Sequence, residues 1–103
     1  MARANKGGQV AHAAAAVNIT DALSLTGNLH FTKITVKNAA GAANAGYSGN
    51  SNVANTPANA HMELSAGESY TWGGDGKGYY SSDDIYLVGT VNAANIWFIQ
   101  LEE

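Results

Sequence analysis

The stretch Phe31-Thr-Lys-Ile-Thr-Val-Lys37 alternates: Ile34 and Val36 fall on one face, and Lys33, Thr35 and Lys37 on the other. An extended chain turns successive side chains to opposite faces, so this period of two marks a strand with one side in a core and one in water. Four more segments read as strands. Gly46-Tyr-Ser-Gly49 returns after the turn-rich Asn38–Asn44, and Glu68–Trp72 alternates with Tyr70 and Trp72 on one face. Ile85–Val88 and Ile96–Leu101 are apolar on both faces; in the second, Ile96 and Phe98 point one way, and Trp97, Ile99 and Leu101 the other. A strand of that kind needs cover on its second face, from the chain's own loops or from a neighbouring molecule.

Turn chemistry agrees with this spacing. In Leu64-Ser-Ala-Gly-Glu68, Gly67 suits a turn position with positive φ just before a strand. Gly73-Gly-Asp-Gly-Lys-Gly78 reads as a loop, and Thr56-Pro57 interrupts any regular element around it. Ala13–Ala16 is too short to hold a helix between Gly7-Gly8 and the β-branched Val17 and Ile19, and Ala11–Leu25 supports a short helix at most. The expected fold is therefore all-β: a single small antiparallel β-sandwich, jelly-roll-like, over residues 17–103, preceded by an extended N-terminal arm over residues 1–16.

The 103 residues suit one domain. Nineteen of the residues in the 46% hydrophobic fraction are alanine, so the core is thin, and an oligomer or a host surface is expected to help. Between Lys37 and Glu63 there is no Asp, Glu, Lys or Arg, and Tyr47, Val53 and Met62 are the large apolar residues of that stretch. It cannot fold alone, and should lie in turns and short strands against this domain or another subunit.

Five bases and eight acids give a formal charge of −3, and Arg3, Lys6, Lys33, Lys37 and Lys77 are dispersed. No basic stripe exists to track phosphates, so nucleic-acid binding is set aside. Without cysteine there is no disulfide and no thiolate metal site. Met1–Val10 has two bases, but Ala11–Asn18 is too weakly apolar for a secretory core, and no run is long enough to span a membrane. An extended arm is the expected state of this end.

Motifs for catalysis fail individually. Gly76-Lys77-Gly78 lacks the Ser or Thr of a phosphate loop, and no serine sits in a Gly-x-Ser-x-Gly elbow. Asp75, Asp83 and Asp84 match no calcium-loop spacing, and His12, His30 and His61 have no acidic partner at ligand spacing. No metal, cofactor or enzymatic activity is expected. Tyr70, Trp72, Tyr79, Tyr80 and Tyr86 cluster around the glycine loop. Such a group makes a sugar-stacking platform, a protein hot spot or an aromatic core. Trp72 and Trp97 are expected partly in the core, with Tyr79 and Tyr80 as better surface candidates. Tyr47, Val53, Trp72, Tyr79, Tyr80 and Trp97 together form the candidate subunit or partner interface.

The order Ile34-Thr-Val-Lys-Asn38, Gly46-Tyr-Ser-Gly49, Asn52-Val53, Leu64-Ser-Ala-Gly-Glu-Ser69, Ile85-Tyr-Leu-Val88 and Ile96-Trp-Phe-Ile99 resembles small β-sandwich virion proteins of tailed bacteriophages. In those a strand ending in Asn leads to a Tyr-x-Gly strand, an Asn-Val turn, a Gly-Glu turn and two apolar closing strands. The resemblance spans residues 31–101 and implies a non-catalytic structural protein. A capsid cement or decoration protein is favoured; a head fibre or a carbohydrate-binding tail adhesin is the alternative. It further implies synthesis in the host bacterial cytoplasm, residence on the capsid surface, the major capsid protein as partner, and a homodimer or homotrimer. Arg3, Lys6 and Gln9 are the candidate shell-binding residues of the arm.

Overall fold

Short alternating or apolar runs between turn residues become ten strands and one helical turn in the computed structural model, which describes residues 5–11, 15–40, 45–53, 60–76, 78–89 and 96–103. In chain order these are β1 (Asn5–Ala11), β2 (Val17–Asn18), α1 (Ile19–Leu23), β3 (His30–Phe31), β4 (Lys33–Asn38), β5 (Gly46–Gly49), β6 (Met62–Leu64), β7 (Ser69–Gly73), β8 (Tyr80–Ser81), β9 (Tyr86–Gly89) and β10 (Ile96–Glu102). Their antiparallel pairing is nested: β1 with β10, β2 with β9, β3 with β8, β4 with β7, and β5 with β6. The chain is thus one long ribbon with β5 and β6 at its tip. Two further antiparallel pairings, β10 with β4 and β9 with β5, wrap the ribbon into sheets of order β1-β10-β4-β7 and β2-β9-β5-β6. Two four-stranded sheets wrapped from a single ribbon make a jelly roll.

The main core lies between the sheets. Ile34 and Val36 of β4, Trp97, Ile99 and Leu101 of β10, Leu87 of β9, Leu64, Phe31, Ile19 and Ile85 are all buried there. Lys33, Thr35 and Lys37 take the opposite face of β4, as their alternation requires. The Leu64–Glu68 turn forms with Gly67 at φ 81°. The Gly67 amide donates to the Asn38 carbonyl (2.8 Å), and the buried Asn38 amide donates to the Leu64 carbonyl (2.9 Å). Asn38 thereby fastens the end of β4 to β6 in the other sheet.

A smaller core lies on the outer side of the second sheet, where Tyr47, Val53 and Val88 pack with Ala16, Ala60 and Tyr86. The second apolar face of β9 is therefore covered by the chain itself. The uncharged stretch supplies that cover, because the Asn50–Val53 turn brings Val53 down over Tyr47 and Val88.

One expectation is corrected. Asn5–Ala11 is not an arm: it is a seven-residue strand paired along its whole length with β10, from Asn5 opposite Glu102 to Ala11 opposite Ile96. Val10 packs on the main core, which gives this glycine-containing segment its hold. Residues 1–4 and 12–14 lie outside the described residues. The one helical turn among the described residues, from Ile19, falls within Ala11–Leu25, where the pattern supports a short helix; the Asn18 side chain caps it by accepting from the Asp21 amide (2.8 Å), and Ser24 ends it in the left-handed region.

Tyr47 sits opposite Glu63 on the β5–β6 pair. Burial, then the Glu63 negative charge and a hydrogen bond to its carboxylate, raise the Tyr47 pKa above its ordinary value. The neutral phenol is the form the fold favours. Its contribution is complete below the unfolded-state value of about 10 and is lost as pH rises through the higher folded-state value. Unfolding free energy should therefore fall in alkaline solution above about pH 10, and Tyr47→Phe should flatten that fall in urea titrations. An identical alkaline slope in the variant would remove Tyr47 as its source.

Candidate functional surfaces

The register of the first sheet sorts its outward side chains into rows. Gln9, Phe98, Lys37 and Ser69 form one row; Gly7, Gln100, Thr35 and Thr71 form the next. Thr35 and Thr71 are joined through their hydroxyls (2.9 Å), and a third row carries the Lys33–Glu102 ion pair at 3.4 Å. Phe98, at 38% exposure, is the one large apolar group of these three rows. It lines a shallow groove of about 400 Å³ with Gln9, Thr35, Lys37, Ser69 and Gln100. Such a face suits a macromolecular partner: an aromatic anchor is surrounded by polar groups, of which Lys37 alone is charged and the rest are cheap to desolvate.

A second concavity opens where edge strands β7 and β6 of the two sheets lie on the same side. Gly49, His61, Met62, Tyr70, Trp72, Asp84 and Ile85 line this crevice of about 140 Å³. Tyr70 and Trp72, neighbours on one face of β7, meet edge to face with ring centres 4.9 Å apart and planes at 76°.

The candidate interface residues of the sequence are divided by the fold. Trp97 is buried, as are Tyr47 and Val53, so none of the three presents a surface to a partner. Trp97 is opposite Asn38 and Val10 on the inward side of β10, and the exposed aromatic of that strand is its neighbour Phe98. Trp72 is half-buried at the crevice. Tyr79, at 69% exposure, stands in solvent, and Tyr80 packs its ring where a side chain on Gly73 (φ 80°) would sit. Neither Tyr79 nor Tyr80 lines the crevice, so the aromatics clustered in sequence do not make one platform.

Of the arm candidates, Lys6 pairs with Glu103 at 3.3 Å, Gln9 is exposed on the outer face of the first sheet, and Arg3 lies outside the described residues. Asp75, Asp83 and Asp84 do not converge: among the described residues no group of three His, Asp or Glu side chains is placed to hold a metal ion.

No protein-family model matches the chain, and neither a curated protein nor a solved structure does.

Proposed function

We propose that this chain is a non-enzymatic structural protein of a tailed-phage particle, a decoration or cement protein that binds the major capsid protein and bridges neighbouring capsomers. The observation that carries this reading is the outer face of the first sheet, where Phe98 stands in a groove among Gln9, Thr35, Lys37, Ser69 and Gln100. Cementing a shell needs many copies with a modest contact each, because avidity multiplies a weak contact. A homodimer or homotrimer engaging two or three capsomers at once would supply that multiplication. The order of strand and turn motifs, now seen along one folded ribbon, supports the same reading, and jelly rolls are recurrent in viral capsids, which is support by analogy.

The alternative of a head-fibre or tail adhesin built on one platform of Trp72, Tyr79 and Tyr80 is less well supported, since the fold separates those side chains.

The test is to heat capsids with and without the protein while following DNA release. Release should move to higher temperature with the protein bound. Phe98→Ala should weaken shell binding about tenfold or more, the scale of a lost hot-spot aromatic. Equal release temperatures, or no binding to shells, would reject the proposal.

A further inference from the structure

We infer that the crevice between β7 and β6 is a binding site for a single pyranose ring, a sugar unit either free or at the end of a glycan. This is a site apart from the shell-facing sheet, and it does not depend on the shell.

Size comes first. About 140 Å³ is well below the roughly 300–1,000 Å³ of pockets for drug-sized ligands, and it admits one ring. The lining is divided as a pyranose is divided. Met62, Trp72 and the edge of the buried Ile85 contribute apolar surface suited to the C–H face of a sugar, and His61, Asp84 and Tyr70 bring polar groups that can exchange hydrogen bonds with hydroxyls.

The polar groups stand on fixed backbone. The His61 amide donates to the Ser48 carbonyl (2.9 Å), and the Asp84 amide donates to the Ser81 carbonyl (3.1 Å). Both side chains are exposed, and neither is in an ion pair among the described residues. The edge-to-face contact with Tyr70 holds the Trp72 ring before any ligand arrives, so little ordering cost remains.

Competing ligand chemistries fit less well. An anion meets the Asp84 carboxylate. A quaternary ammonium needs aromatic faces standing apart around it, whereas Tyr70 and Trp72 close the corner between them. A wholly apolar ligand makes no use of His61 and Asp84. Hydroxyls both donate and accept, and they satisfy this mixture.

Tryptophan fluorescence of the purified protein tests the site directly. Trp97 is buried at 1% exposure, so an emission change on adding ligand reports Trp72. Glucose, galactose, mannose and N-acetylglucosamine should be titrated singly, with tetramethylammonium chloride as control. At least one sugar should give a saturable change with Kd on the order of 1 mM, the affinity expected for a ligand of about a dozen heavy atoms. Asp84→Asn should weaken that Kd about tenfold, the effect of one lost charge-assisted hydrogen bond, while Tyr79→Ala should leave it unchanged.

Retention on an immobilised polysaccharide ending in the same sugar separates the two sources: retention means that a glycan end is admitted, and loss means the free sugar alone. The site is overturned by four outcomes: silence across all four sugars, an unchanged Kd in Asp84→Asn, a weakened Kd in Tyr79→Ala, or saturation by tetramethylammonium with none by sugars. Because no capsid is present, failure here leaves the shell proposal standing, and failure on shells leaves this one standing.

Discussion

Trp97→Ala should lower the unfolding free energy by about 3–5 kcal/mol, the range for emptying a buried aromatic site, whereas Phe98→Ala, one residue further on, should cost about 1 kcal/mol or less. Trp97 is 1% exposed in the main core, while Phe98 is 38% exposed on the sheet's outer face. A domain of this kind holds about 5–15 kcal/mol in total, so the first change removes about a fifth of the stability or more. The second should leave a folded protein whose proposed binding to the shell is about tenfold weaker or more. Urea unfolding of both variants, followed by shell binding of the Phe98 variant, reads the two effects separately. A strand has a period of two, so a register error of one residue would exchange these outcomes. If Phe98→Ala unfolds the protein and Trp97→Ala does not, the assignment of inner and outer faces in β10 is wrong.

That assignment shows where the sequence is legible and where it stops. Phe31–Lys37, Gly46–Gly49, Glu68–Trp72, Ile85–Val88 and Ile96–Leu101 all read as strands, and the structure places β4, β5, β7, β9 and β10 within a residue or two of them. Period two tells which side chains share a face. It does not tell which face is inside when both are apolar, and Ile96–Leu101 is such a case. The missing information is the partner strand: β4 puts Ile34 and Val36 beside Leu101 and Ile99, and Lys37 beside Phe98. Because β4 has an unmistakable polar face, pairing the two segments would have placed Phe98 in solvent.

Tyr47 and Val53 stayed ambiguous for a different reason. An uncharged stretch shows that something is covered, but not whether the cover belongs to the same chain; here Val53 lies on its own Tyr47 and Val88. The crevice could not be read at all. His61 and Asp84 are far apart in the chain, and they line one concavity because β5 pairs with both β6 and β9, just before which the two residues lie.

Deletion of residues 1–11 should cost about 3 kcal/mol or more, from the lost burial of Val10 and the lost ladder to β10. This reverses the expectation of an extended arm over residues 1–16, although Gly7 and Gly8 are poor strand formers. The structure gives these glycines a reason. Gly7 lies opposite Gln100 with φ 149°, and a Cβ there would run into the Ile99 carbonyl oxygen. A Cβ on Gly8 would reach Leu23 of α1 at 3.4 Å. β1 thus lies close against both β10 and the helical turn, and Val10 anchors its far end on the main core.

Gly7→Val should cost about 1–3 kcal/mol from backbone strain alone, with the collision at Ile99 added. Deletion should also leave β10, with Phe98 on its outer face, as an open sheet edge, and such edges recruit other chains. The truncated protein should therefore aggregate and lose its cooperative urea transition. A truncated chain that unfolds at the full-length midpoint, stays monodisperse and merely loses the shell would instead describe an arm.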